Sequence, residues 1–256
     1  MSLSWLDWVD IFVHPERVVV ERQRFHGASS RQVVHVAQPV EGEDAWVPVV
    51  KALQLALTQD GSTRGRVRLM VADHFVRYTM LPWGREVVFR KGRQNVAKAL
   101  FMHALGERAS ALEIAVDTPT FGASGVASGI DRSFLAQLRS SLSERKMSIA
   151  SLQPRFVKEV NLSLRGARNY SGWFACVDRQ RLTLASLSMG RLQRVRNQRT
   201  TPGSLQRDLF ALLNVDTQEG RQLNLTVSSD TLPEPISMPG WTVEAFKSTL
   251  PGVGHG

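Results

Sequence analysis

The feature that most limits the fold is an order of elements that occurs twice. Between Trp8 and Ala72 the chain has three strand-like runs, a one-faced helical run and a fourth strand run, and the order returns between Gly172 and Phe246. In the first copy, "WVDIFVHPERVVVERQRF" predicts two strands joined by a short His14-Pro15-Glu16 turn. Its β-branched flanks suit a pleated surface, and Pro15 presets the φ angle of a turn. "RQVVHVAQPV" follows as a third strand. "AWVPVVKALQLALTQ" sets Trp46, Val49, Val50, Leu53 and Leu57 on one helical stripe, and Val67–Ala72 is the fourth strand. In the second copy, "GWFACVD", "RLTLASLSM" and "RLQRVRNQR" predict three strands with minimal turns at Arg179-Gln180 and at Gly190. "TTPGSLQRDLFALLNV" is a helix entered through Thr201 as N-cap with Pro202 at its first position. "LNLTVSS" and "WTVEAF" are strands on either side of the proline-rich "DTLPEPISMPG".

Between the copies lies a segment with its own pattern. "RVRLMVADHFVRYTMLPWG" (Arg66–Gly84) opens as a buried strand and runs on through Asp73-His74 without a turn residue. One reading makes the Asp-His pair a site; the other makes the run a strand that leaves one sheet and opens another. "GRQNVAKALFMHALG" then places Val96, Leu100, Phe101 and Ala104 on one helical face, closed by Gly106. "ALEIAVD" and "GVASGID" are short strands around the turn-rich "TPTFGAS". From Asp131, a good N-cap, a helix carries Phe134, Leu138 and Leu142, followed by the strand "SIASLQP" and the helix "RFVKEVNLSLRGA". The tail "STLPGVGHG" is expected to be loose.

A chain of 256 residues buries about three quarters of the surface it exposes when unfolded, enough for a substantial core. No run approaches the ~20 apolar residues of a membrane helix. The N-terminal "MSLSWLDWVDIFVH" has neither a basic n-region nor a small-residue cleavage site, so it does not read as a signal peptide. The single cysteine, Cys176, excludes an internal disulfide framework and suits a reducing, cytosolic compartment. A net charge of +9, carried mostly by arginine, favours acidic partners: nucleic acid, anionic headgroups or an acidic protein face. Only "GRLQRVRNQR" (Gly190–Arg199) is dense. It reads either as a solvated hairpin or as a docking surface.

Catalytic constellations are absent from the pattern. A nucleophile, a base and an orienting acid must converge, and no Gly-x-Ser-x-Gly elbow occurs. His14, His26, His35, His103 and His255 lack metal-ligand spacing, and Cys176 brings no partner residue. It reads as a small buried hydrophobe in a strand.

The stretches "VADHFVRYTMLPW" (Val71–Trp83), "GIDRSFLAQLRSSLSERKMSIASLQP" (Gly129–Pro154) and "WFACVDRQRLTLASLSMGRLQRVR" (Trp173–Arg196) resemble the actin-like pilus and secretion proteins. These are the type IV pilus assembly protein PilM, MshI and the cytoplasmic part of general secretion pathway protein L. The resemblance implies an α/β fold of two ribonuclease-H-like lobes in an actin-like (ASKHA) arrangement. A first lobe would span 1–167 with an inserted subdomain at 73–131, and a truncated second lobe would span 168–256. It also implies ATP binding through two strand turns of Asp-x-Gly type, whose glycines let backbone amides reach a phosphate.

Both turns depart from that requirement. "VDIFVHPERV" has no glycine, and Pro15 removes a donor. In "VDRQRLT", Asp178 and Thr183 remain as degenerate phosphate-loop positions, but Arg179, Gln180 and Arg181 replace small residues. Asp230–Gly240 is too short and proline-rich for a helix walling a nucleotide. The expectation is therefore a protein without catalytic residues, cofactor or metal, serving as a cytoplasmic scaffold peripheral to the inner membrane. By resemblance its partner would be a short cytoplasmic segment of a bitopic pilus or secretion platform protein, or a secretion motor ATPase, with self-association possible. The expected docking residues are Arg77, Tyr78 and Trp83 in the inserted subdomain, and Arg191, Arg194 and Arg196 in the hairpin; for Trp83 the reading as a subdomain core residue is preferred. A nucleotide-binding actin-like ATPase and an arginine-rich nucleic-acid-binding regulator are the alternatives.

Overall fold

A computed structural model describes residues 8–23, 29–61, 64–117, 122–163, 169–178, 181–214, 222–227 and 240–247. By packing they form two units. One contains the chain up to Val76 together with Ile130–Arg155; the other contains Arg77–Gly129 and the chain from Phe156 onward. The segment expected to be an insertion in a first lobe thus packs with the second half, and so does most of the helix that follows Pro154.

The first unit is built around β1 (Trp8–Val13). β1 pairs antiparallel with β2 (Arg17–Gln23), which pairs antiparallel with β3 (Ser30–His35). Its other edge runs parallel to β4 (Gly65–Val71). The order is β3-β2-β1-β4-β8, the last strand being Met147–Pro154. From Val9 to Val13 every residue of β1 is buried, on both faces. α1 (Val47–Asp60) buries Val49, Val50, Leu53 and Leu57, four of the five residues of its expected stripe. Trp46, the fifth, lies 5.8 Å from the Phe134 ring. Phe134 belongs to α3 (Arg132–Ser143) and also meets Phe75 at 4.8 Å. Gln54 of α1 donates to Ser141 of α3 at 3.2 Å, which ties the two helices.

In the second unit the central strand is β9 (Gly172–Asp178), buried along its whole length. β10 (Arg181–Ser188) and β11 (Arg191–Arg199) continue antiparallel on one side. β12 (Gln222–Val227) and β13 (Thr242–Lys247) continue parallel on the other, in the order β11-β10-β9-β12-β13. The strand order of the first unit is thus repeated position for position. One face of this sheet packs Trp173, Ala175, Leu182 and Leu184 against Leu205, Leu209 and Leu213 of α5 (Leu205–Asn214). The other packs Phe174, Cys176, Ala185 and Leu187 against Phe156 and Val160 of α4 (Arg155–Ser163). Cys176 is a buried thiol within that core, outside any disulfide.

The run through Asp73-His74 is two strands in two sheets. After β4 the Ala72 amide still bonds to the Val13 carbonyl at 2.9 Å, and Asp73–Phe75 then forms a single 3-10 turn. β5 (Val76–Leu81) starts a small sheet in the order β5-β7-β6, with β6 at Leu112–Val116 and β7 at Gly125–Asp131. α2 (Arg90–Leu105) covers it, contributing Ala97 and Phe101 to a core with Leu81, Val87 and Ala127. Ala104, expected on the inner face, is exposed, and Leu105 packs there instead. Ala97, Phe101 and Leu105 follow one another at four-residue steps, so they form a single ridge along the helix.

α3 starts where expected: the Asp131 carboxylate accepts from the Phe134 amide at 2.9 Å. Asp131→Ala should cost about 1 kcal/mol and lower Tm by about 2–4 °C. Asp131→Asn, which keeps an acceptor oxygen, should melt close to wild type, and thermal denaturation of the three chains checks this.

Candidate functional site

Because β1 and β9 are covered on both faces, the turns at their C-terminal ends are the places where they offer backbone groups to a ligand. At the first turn the backbone is already committed. The His14 amide donates to the Arg17 carbonyl at 3.0 Å, the Glu16 amide donates to His14 Nδ1 at 3.1 Å, and Pro15 has no N–H. A phosphate cradle needs successive unoccupied amides aimed into one hollow, and the three residues of this turn supply none. The acid of the same strand is committed too. Asp10 is buried and accepts a two-pronged pair from Arg68 of β4, with Nε to Oδ1 at 2.6 Å, and a further bond from Gln23 at 3.1 Å. Arg66 and Arg68 also lie over the Trp8 ring, at 4.7 and 5.1 Å from its centroid. The indole and both cations therefore form one packed polar cluster on that face.

At the second turn, Arg179 and Gln180 fall outside the described residues. Asp178 and Thr183 are both buried. Thr183 stands opposite Cys176 and Asp178 opposite Arg181, so both point to the sheet face that carries Cys176 and Ala185. The Asp230–Gly240 segment also lies outside the described residues, apart from Gly240.

The arginine-rich hairpin closes through Met189-Gly190. Both residues have positive φ (51° and 71°), the pair of left-handed conformations a two-residue hairpin turn needs. β11 is an edge strand. Its register shifts between Ser186 and Leu187 of β10, leaving Gln193 as the extra residue of a bulge. Arg191, Arg194 and Arg196 consequently face Ser188, Ser186 and Leu184, alternate residues of one β10 face. That is the face of Leu184 and α5. Arg191 and Arg194 are exposed and Arg196 half-buried. At the end of the strand Arg199 stands directly opposite Arg181, a like-charge juxtaposition that disfavours the ladder by itself.

The inserted-subdomain candidates are placed differently. Arg77 is exposed on β5. Tyr78 is half-buried with its ring 5.7 Å from Phe156, in the core that also holds Leu192 and Val195 of β11. Trp83 packs against the α2 core. Tyr78 thus belongs to one face of the second sheet while the three arginines stand on the other. One exposed apolar pair was not singled out from sequence: Val88 and Phe89, just before α2. Its signal was "EVVFRKGR", an apolar triplet running straight into cations.

The fold, more than the sequence, links the chain to known proteins. No protein-family model matches it, and no curated protein matches it. Solved structures do. A Bacteroides thetaiotaomicron protein with an actin-like ATPase fold and unknown function matches at TM-score 0.62 and 14% identity, over 90% of this chain and 84% of that one. The cytoplasmic domain of EpsL, an inner membrane component of the Vibrio cholerae type II secretion system, matches at 0.61 and 13%, over 95% and 90%. A PilM–PilN type IV pilus biogenesis complex matches at 0.61 and 10%, over 87% and 82%. The chain has the actin-like fold.

Arg68→Met would leave the Asp10 carboxylate buried without its charged partner. A loss of about 2–3 kcal/mol is expected. A double variant, Asp10→Leu with Arg68→Met, should lose less than the sum of the two single changes, as denaturant titration will read.

The entry to α5 gives a pH prediction. Asp208 accepts from Ser204 Oγ at 2.7 Å and Thr200 Oγ1 at 2.8 Å, and these bonds, Ser204 first, hold its carboxyl below the usual carboxylate range. A carboxyl whose folded pKa lies below its unfolded value stabilises the fold above the unfolded pKa of about 3.9, and that contribution is lost as pH falls through the folded value. The stability gap between wild type and Ser204→Ala should therefore be full at neutral pH and narrow in acid, measured by urea melts at both.

Proposed function

We propose that this chain is a non-catalytic docking protein of a type IV pilus or type II secretion inner-membrane platform. It works in the cytoplasm and reaches the membrane through a partner. That partner is a short cytoplasmic segment of a bitopic platform protein or, in the second mode, the motor ATPase. The observation that carries the reading is the turn after β1, whose amides are spent on Arg17 and on the His14 ring and whose middle residue is proline. An actin-like frame with that turn retains surfaces rather than a phosphate cradle. The likeness in fold to the EpsL cytoplasmic domain and to PilM in its complex supports the choice of machinery. Among the described residues no helix is long and apolar enough to cross a membrane.

The docking role falls most naturally on Arg191, Arg194 and Arg196. Together with Arg199 they make β11 an edge strand bearing four cations and no carboxylate. An extended acidic segment would satisfy both the open ladder edge and the charge. Arg77 would extend the basic surface from β5, while Tyr78 and Trp83 would act by holding the subdomain in shape. The self-association expected from the resemblance remains part of the proposal, with the β11 edge as its simplest route.

One observation favours the nucleotide-binding alternative: Asp178 and Thr183 still share a sheet face. A melting series with Mg-ATP separates the readings. No shift up to millimolar nucleotide is expected, whereas a rise that grows with concentration would establish a site. For docking, synthetic peptides of the cytoplasmic segments of neighbouring bitopic proteins should bind, with acidic ones preferred. Arg191→Glu with Arg194→Glu should weaken that binding about tenfold or more, mainly through the on-rate and its salt dependence. Tight, steeply salt-dependent binding to DNA in place of peptide would favour the nucleic-acid alternative.

A further inference from the structure

Phe89 is 76% exposed and its neighbour Val88 46%, an adjacent apolar pair projecting from the surface of the small subdomain. The pair is not a loose loop. Val87 beside it is buried in the α2 core. The Arg93 guanidinium donates to the carbonyls of Val87 and Val88, at 3.4 and 3.1 Å. The turn carrying the pair sits so closely on α2 that a Cβ at Gly92 would lie 1.8 Å from the Glu86 carbonyl oxygen. The backbone is therefore held with Val88 and Phe89 turned outward, at the cost of leaving two apolar side chains in water.

Cations flank the pair along the chain. Arg85, Arg90 and Lys91 are exposed beside it, and Lys98 lies on the exposed side of α2 two turns on. From Arg85 to Lys98 the only carboxylate is Glu86. The first turn of α2 holds Arg90, Lys91 and Arg93 and no acidic residue, the reverse of what the helix dipole favours. Local choices that cost stability twice at one spot mark a surface selected for something other than folding.

We propose that this patch is a direct contact for an anionic lipid bilayer, with Val88 and Phe89 entering the interface and Arg85, Arg90, Lys91 and Lys98 meeting acidic headgroups. Phe89 is exposed over three quarters of its surface, so its cover must envelop it. A bilayer offers apolar depth directly beneath a layer of negative charge, the order in which this patch presents its own apolar tip and cationic collar. Two modest signals, an aromatic wedge and a polybasic collar, give reversible rather than permanent attachment. The inference does not depend on the platform reading. It supplies a membrane contact belonging to the chain itself, in addition to any contact through a partner.

The test is co-sedimentation of the full chain with phosphatidylcholine vesicles, with and without phosphatidylglycerol. Wild type is expected to bind the anionic vesicles and ignore the neutral ones. Phe89→Ser should cut partitioning about tenfold while keeping its salt dependence; Arg90→Glu with Lys91→Glu should cut it at least as far and flatten that dependence. These side chains are exposed, so circular dichroism should be unchanged; melting should be no lower than wild type, because serine at the α2 N-cap and acids in its first turn favour the helix. As a second readout, Phe89→Cys carrying a polarity-sensitive fluorophore should shift to the blue only with anionic vesicles, the native Cys176 being buried. Absence of vesicle binding would overturn the proposal, the result a protein pocket as occupant would give. So would binding indifferent to these substitutions, or a fluorophore that stays in water on bound vesicles. Failure here leaves the peptide-docking experiment untouched, and the converse holds.

Discussion

The structure depends on a hydrogen-bonded partnership made twice: a central strand with an antiparallel hairpin on one edge and a parallel strand on the other. β1 and β9 hold that position, and both are buried on both faces. A strand so enclosed satisfies its backbone groups in the ladder and its side chains in two cores. Only its C-terminal turn is left to offer polar groups elsewhere. The function of such a frame is decided by a few residues at two turns and by what lines its edges.

At the first turn the decision is legible in bonds. Pro15 contributes no donor, and the other two amides close the turn on itself through Arg17 and the His14 ring. Asp10 is spent on Arg68 and Gln23 within the sheet. The same groups that would face a phosphate are thus used to stabilise the hairpin and the polar cluster under Trp8. Under the two proposals above, recognition falls to the periphery: an edge strand loaded with arginine, and an exposed apolar pair flanked by cations in sequence. Both surfaces carry local penalties, Arg199 opposite Arg181 and cations at the start of α2.

Much of the frame was legible before any coordinates, because it rests on periodicity and punctuation. The stripe of α1, the Asp131 cap, the Pro202 entry to α5 and the apolar run of β9 up to Asp178 are local signals, and each element formed where those signals lay. The break after Val71 was legible only as a question. Asp73 is the one turn former between Arg66 and Leu81, too weak a signal to announce a change of sheet, so the chain's departure was decided by pairing: β4 finds β1 and β8, and β5 finds β7. The site was legible in its losses, since a missing glycine and an added proline are visible in letters. Its gains were less visible. Val88–Phe89 looked like any apolar triplet until Val87 alone turned inward.

The sequence by itself determined the α/β class, the doubled order of strands and helix, and the missing backbone donor at Pro15, because these follow from side-chain branching, spacing and the chemistry of proline; the commitment of the His14 and Glu16 amides came with the folded turn. Tertiary structure alone decided which residues share a surface. Arg191 and Arg194 are three apart, an odd spacing that puts them on opposite faces of a regular strand; the bulge at Gln193 brings them into line with Arg196. Tyr78, distant in sequence, joins the core beneath the other face of that same hairpin. The physical reason is that strand register and bulges are set by pairing partners, and a slip of one residue moves every following side chain to the opposite side.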